Sequence, residues 1–77
     1  MDKRYDAYQS ETHLKQIREH SGLSQSELSL LSGVNLRSIQ MYEQRVNNID
    51  KAHANTLYKL ARALKCQIED LLECPER

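Results

Sequence analysis

A chain of 77 residues has room for one small domain with a modest core, and a second, sensing domain is not expected. Two glycines, one proline, no tryptophan and no phenylalanine, with leucine and charged residues abundant, favour helices over sheet and give an all-α expectation. Eleven basic and eleven acidic side chains cancel, so no global charge excess advertises a polyanionic partner, and the distribution of charge has to carry that argument.

Residues 1–9 alternate charge and tyrosine without helical periodicity and read as an N-terminal arm. Ser10 can cap a first helix running to about His20, with Leu14 and Ile17 inward, Lys15, Arg18 and Glu19 among the polar positions, and Ser21 and Gly22 ending it. Ser24 is the next N-cap and Glu27 stands three residues on, a capping box, while Leu23 and Leu28 are spaced as a hydrophobic staple. A second helix therefore starts near Gln25, with Leu28 and Leu31 expected in the core. Ser32, Gly33 and Val34 break it, Gly33 supplying the positive φ of a sharp turn, and Asn35 caps a third helix from Leu36.

At about 100° per residue, Ser38, Ile39, Tyr42 and Glu43 fall on one half of this third helix, and Leu36, Arg37, Gln40, Met41 and Gln44 on the other. Two short helices, a tight glycine-containing turn and a free outer face match the DNA-binding helix-turn-helix, here at about residues 24–44. On that face Arg37 and Gln40 lie on adjacent turns and can pair with guanine and adenine, and Leu36 and Met41 suit thymine methyl groups. Asn35 is placed to position the DNA backbone.

After the third helix comes the loop QRVNNIDKAH, in which Gln44, Arg45, Asn47 and Asn48 are the natural DNA-backbone contacts. Asp50 is expected to cap a fourth helix, from about Lys51 to Lys65, whose Ala54, Leu57, Leu60, Ala61 and Leu64 repeat at core spacing. A last short helix, IEDLLE, ends before Pro75, the domain spans 10–74, and 75–77 are a tail. Leu71 and Leu72 cannot both be buried in so small a domain, so one of them is a candidate dimer contact.

Other chemistries find little support. Cys66 and Cys74 form no framework and no CxxC, and His13, His20 and His53 lack ligand spacing, so neither a metal nor another cofactor is expected. No nucleophile stands with a paired base, no carboxylate dyad and no phosphate-binding glycine loop occur, and no enzymatic activity is expected. No apolar run reaches membrane-spanning length, and the start MDKRYDAYQS lacks a signal peptide's apolar stretch, which points to the cytoplasm and to no membrane contact. Between Asn35 and Lys51 the basic residues Arg37, Arg45 and Lys51 face only Glu43 and Asp50, whereas acid gathers at Glu69, Asp70, Glu73 and Glu76.

From Leu14 to Leu72 the pattern, with Leu-Ser-Gln at 23–25, Gly33-Val34 and an aromatic-Glu pair at 42–43, resembles the Cro and phage-repressor (XRE) family. The resemblance implies a five-helix lambda-repressor-like domain that binds double-stranded DNA as a homodimer, most simply as a repressor. It further implies that Arg18 pairs with Glu43, tying the first helix to the end of the recognition helix. Ser29, where the family usually has Ala, keeps the close helix crossing small, and Gln25 in the first turn of the second helix reaches a DNA phosphate. The chain departs from the family where Arg45 replaces a usual Gly, so that Asn47 or Asn48 is expected to turn left-handed, and again at Lys65. The alternative, a protein-interaction or antitoxin-like module using the same fold, has its best support in the zero net charge.

Overall fold

The computed structural model describes residues 11–73, so the expectations for the arm at 1–9 and for the tail at 75–77 lie outside the described residues. Within them run α1 (His13–His20), α2 (Gln25–Ser32), α3 (Leu36–Glu43), a single 3-10 turn (Ile49–Lys51), α4 (Ala54–Leu64) and α5 (Ile68–Leu71), with no strand among the described residues. The all-α, five-helix expectation therefore holds.

Each helix begins and ends for a local reason. Thr12, not Ser10, caps α1, because its buried hydroxyl accepts the Lys15 amide at 3.1 Å; Ser10 lies outside the described residues. At α2 the capping box is complete, Glu27 N–H to Ser24 Oγ at 3.0 Å and Ser24 N–H to Glu27 Oε1 at 2.8 Å. The ends of α1, α3 and α4 share one closure: in each, an amide just past the helix end returns to the carbonyl five residues before it, Leu23 to Arg18, Val46 to Met41 and Cys66 to Ala61. This closure needs a left-handed residue. Gly22 supplies it for α1, but Arg45 at φ 60° and Lys65 at φ 57° supply it for α3 and α4. The expectation that Asn47 or Asn48 would take that conformation is thus corrected, since the hydrogen bonds of the helix end select the position and Arg45 occupies it.

The region before α4 also differs from expectation. Asp50 does not cap a helix from Lys51; Asn48 Oδ1 accepts the Asp50 amide at 2.9 Å and starts the 3-10 turn, and α4 begins three residues later, after His53. The reason is that Ile49 is pulled into the core and the Asp50 carboxylate is used elsewhere, accepting the Glu73 amide at 2.7 Å.

The core is a continuous cluster of Leu14, Leu28, Val34, Ile39, Ile49, Leu57, Leu60, Ala61, Leu64 and Leu71, with Ile17, Leu23, Tyr42 and Leu72 packed against it. Two expected members are absent. Leu31 is 64% exposed and Ala54 is exposed, because α2 and α4 reach the core through narrow stripes centred on Leu28 and on Leu57, Leu60, Ala61 and Leu64. Leu71 is fully buried and Leu72 half-buried, so Leu71 is withdrawn as a dimer contact. The last helix is also shorter than IEDLLE, stopping at Leu71, with the Asp70 carboxylate accepting the Gln67 amide at 2.9 Å at its start. Cys66 packs half-buried, and burial, with Asp70 adding to it, pushes its thiol above the ordinary range, which suits a small apolar role.

Lys65→Gly should stabilise the domain by about 0.5–1 kcal/mol, because a left-handed L-residue is strained by more than glycine's extra chain entropy costs. Urea unfolding measures it; an unchanged or lower midpoint would mean that packing of the lysine stem outweighs the relief of strain.

Candidate nucleic-acid interface

The segment from Ser24 to Gln44 is built around a turn that is hydrogen-bonded at every step. Gly33, at φ 79°, donates to the Ser29 carbonyl at 2.9 Å, a conformation an L-side chain resists. The Ser29 hydroxyl donates to the Val34 carbonyl at 2.6 Å, and the Val34 amide donates to Ser32 Oγ at 3.0 Å. Val34 is buried between the two helices, and Asn35 Oδ1 then accepts the Arg37 amide at 2.7 Å to start α3. Ser29 thus does more than stay small: it ties α2 to the turn that launches the next helix.

The inward half of α3 is held by two anchors. Ile39 is fully buried, and Glu43, whose side chain is only 3% exposed, receives Arg18 in a bidentate pair, Nε to Oε2 at 2.7 Å and Nη2 to Oε1 at 3.0 Å. Arg18 Nη1 donates to the Leu23 carbonyl at 2.8 Å, so one guanidinium links α1, the chain before α2 and the end of α3. Gln25 Nε2 adds a third donor to the same carboxylate, at 2.9 Å from Oε1. The Glu43 hydrogen bond raises the Arg18 pKa above its ordinary value, outweighing the opposing effect of burial.

With that half committed, the opposite half of α3 is turned outward. Arg37 and Gln44 are exposed and Leu36, Gln40 and Met41 are half-buried, so the four residues expected to read bases share one accessible face. Asn35 is exposed at its start, beside the first amides of the helix. Beyond its end the loop folds back, with the Val46 and Asn47 amides both donating to the Met41 carbonyl at 2.9 and 3.2 Å, which sets Arg45, Asn47 and Asn48 on the surface next to α3. Arg45 Nη2 donates to Glu73 Oε1 at 3.1 Å, and Glu73 Oε2 accepts the His13 amide at 2.7 Å, so the loop is braced against the start of α1 and the end of α5. The side-chain amide of Gln25, expected at a DNA phosphate, donates one hydrogen bond to Glu43 within the domain.

Sequence reasoning missed Val46, which is 60% exposed within this loop. Among the described residues no group of three or more His, Cys, Asp or Glu side chains could hold a metal ion, and no helix is long and apolar enough to cross a membrane.

A family model described as helix-turn-helix matches residues 14–71, most of the chain. No curated protein and no solved structure matches it significantly.

Arg18→Ala should cost on the order of 3 kcal/mol of folding stability, because it strands a buried carboxylate. Chemical denaturation measures this. A variant that unfolds with the parent would show that the pair is energetically neutral.

Proposed function

We propose that the chain, which belongs to the XRE, or Cro and phage-repressor, family of helix-turn-helix DNA-binding transcription regulators, is a repressor that binds a two-fold operator as a homodimer in the cytoplasm. The observation that carries the reading is the outward face of α3, where Leu36, Arg37, Gln40 and Met41 stand accessible on a helix pinned from behind by Ile39 and Glu43. In a major groove the guanidinium of Arg37 pairs bidentately with guanine, Gln40 pairs with adenine, and the two apolar side chains meet thymine methyl groups. Asn35, Gln44, Arg45, Asn47 and Asn48 set the register on the phosphates from the two ends of the helix. Gln25 joins them through its place in the first turn of α2, where the helix dipole favours an anion, and its contact to Glu43 orients it for that role.

A single domain of this size touches few base pairs, and two copies on half-sites about one helical turn, roughly 34 Å, apart supply the missing contacts. Half-buried Leu72, at the end of α5, is the apolar group offered for the dimer contact. Occupation of a promoter by the dimer then blocks transcription by exclusion. The zero net charge makes non-specific affinity weak and strongly salt-dependent, so discrimination rests on the base contacts.

Arg37→Ala should cost about 1–3 kcal/mol on the cognate site and relax preference at one base pair, whereas Gln25→Ala should weaken all sequences evenly. Competition binding against single-base operator variants tests both; a uniform loss for Arg37→Ala would make Arg37 a phosphate contact. Sedimentation should show a concentration-dependent dimer that operator DNA reinforces, and a monomer under all conditions would exclude the two-fold arrangement.

A further inference from the structure

One surface has no part in the DNA-binding account. On the flank where α2 packs against α4, Leu31, Ser32, Tyr58, Lys59, Arg62 and Ala63 line a shallow groove. Leu31 and Tyr58 are 64% and 51% exposed, and Leu30, just before, is 84% exposed. Isolated exposed leucines are ordinary, but two on one helix end, beside an exposed tyrosine, form an apolar surface that solvent does not account for. Its rim is cationic: no carboxylate lines the groove, and α4, ANTLYKLARAL, contains no acidic residue. The cation at the centre is held in place. Arg62 Nη1 donates to the Tyr58 hydroxyl at 3.0 Å, and the guanidinium lies 5.7 Å from the centroid of the same ring, so its position is set before any partner arrives.

We propose that this α2/α4 groove docks an acidic amphipathic helix of another protein, its apolar side chains seated on Leu31 and Tyr58 and its carboxylates on Lys59 and Arg62. Charge complementarity selects the occupant. A second copy meeting this face by two-fold symmetry would bring one cationic rim against another, which repel. The two ends outside the described residues fit no better, since residues 1–10 balance Asp2 and Asp6 against Lys3 and Arg4, and residues 74–77 balance Glu76 against Arg77. A helix laid in a groove presents side chains at three- and four-residue spacing, the spacing of Tyr58, Arg62 and Lys59, Ala63 on the surface it would cover. This surface is separate from the outward face of α3, so the inference does not depend on DNA binding.

The test uses the full chain and a labelled synthetic peptide of about four helical turns. Leucines line one of its faces and glutamates flank them; a second peptide carries lysine in place of each glutamate. Fluorescence anisotropy should show the acidic peptide binding at least tenfold more tightly than the basic one, with affinity falling as salt rises. Leu31→Asp should abolish binding, and the double variant Lys59→Glu with Arg62→Glu should reverse the preference between the peptides. Both variants lie on the surface and should unfold with the parent. Equal binding of the two peptides, or none at millimolar concentration, would overturn the proposal. So would loss of a homodimer in Leu31→Asp, which would make the groove a self-contact, or loss of random-duplex affinity in the double variant with the peptide unbound, which would make it a phosphate surface.

Discussion

The carboxylate of Glu43 is the point on which this structure turns. It is nearly excluded from solvent and accepts hydrogen bonds from Nε and Nη2 of Arg18 and from Gln25, so α1, α2 and α3 converge on two oxygen atoms. A buried ion pair adds little net stability over well-packed apolar groups, yet removal of one partner is costly. What the pair adds is orientation. Because Glu43 closes the last turn of α3 and Ile39 fills the turn before it, the rotation of the helix about its axis is set, and that rotation decides which side chains face outward. The same carboxylate couples the surface to the interior, since Gln25 reaches Glu43 from the first turn of α2.

A second brace acts just beyond the same end of α3. Arg45 adopts the left-handed conformation that closes the helix and donates to Glu73, which also caps the start of α1 and sends its own amide to Asp50. Strain at Arg45 is offset by these contacts, and the loop carrying Asn47 and Asn48 acquires a defined position beside the recognition helix. In a domain with so small a core, such polar ties do what additional apolar layers do in larger proteins.

Much of this was legible in the residues. Ser24 and Glu27, Gly33, and Asn35 are local signals whose hydrogen bonds close within two to four residues, and the structure places all of them as those rules require. Where expectation failed, a long-range contact decided. Asp50 has the right chemistry for an N-cap, but its carboxylate is taken by the amide of Glu73, 23 residues away in the chain. Leu31 has the right spacing for a core residue, but α4 crosses α2 so that only Leu28 is covered fully. Arg45 and Lys65 are poor left-handed residues by composition, and only the hydrogen-bond pattern of their helix ends identifies them. At the candidate interface, the outer face of α3 followed from helical periodicity, whereas the engagement of Gln25 on Glu43 and the exposure of Val46 required the fold.

The central claim is that two copies of this domain read DNA sequence through the outer face of α3. Selection of bound duplexes from a random pool, sequenced over successive rounds, tests it most directly. The account predicts enrichment of two-fold symmetric sites whose half-sites are centred about 10 base pairs apart, each holding a guanine placed for Arg37. A pool that binds without enrichment of any sequence, or that enriches a single asymmetric half-site, would contradict it.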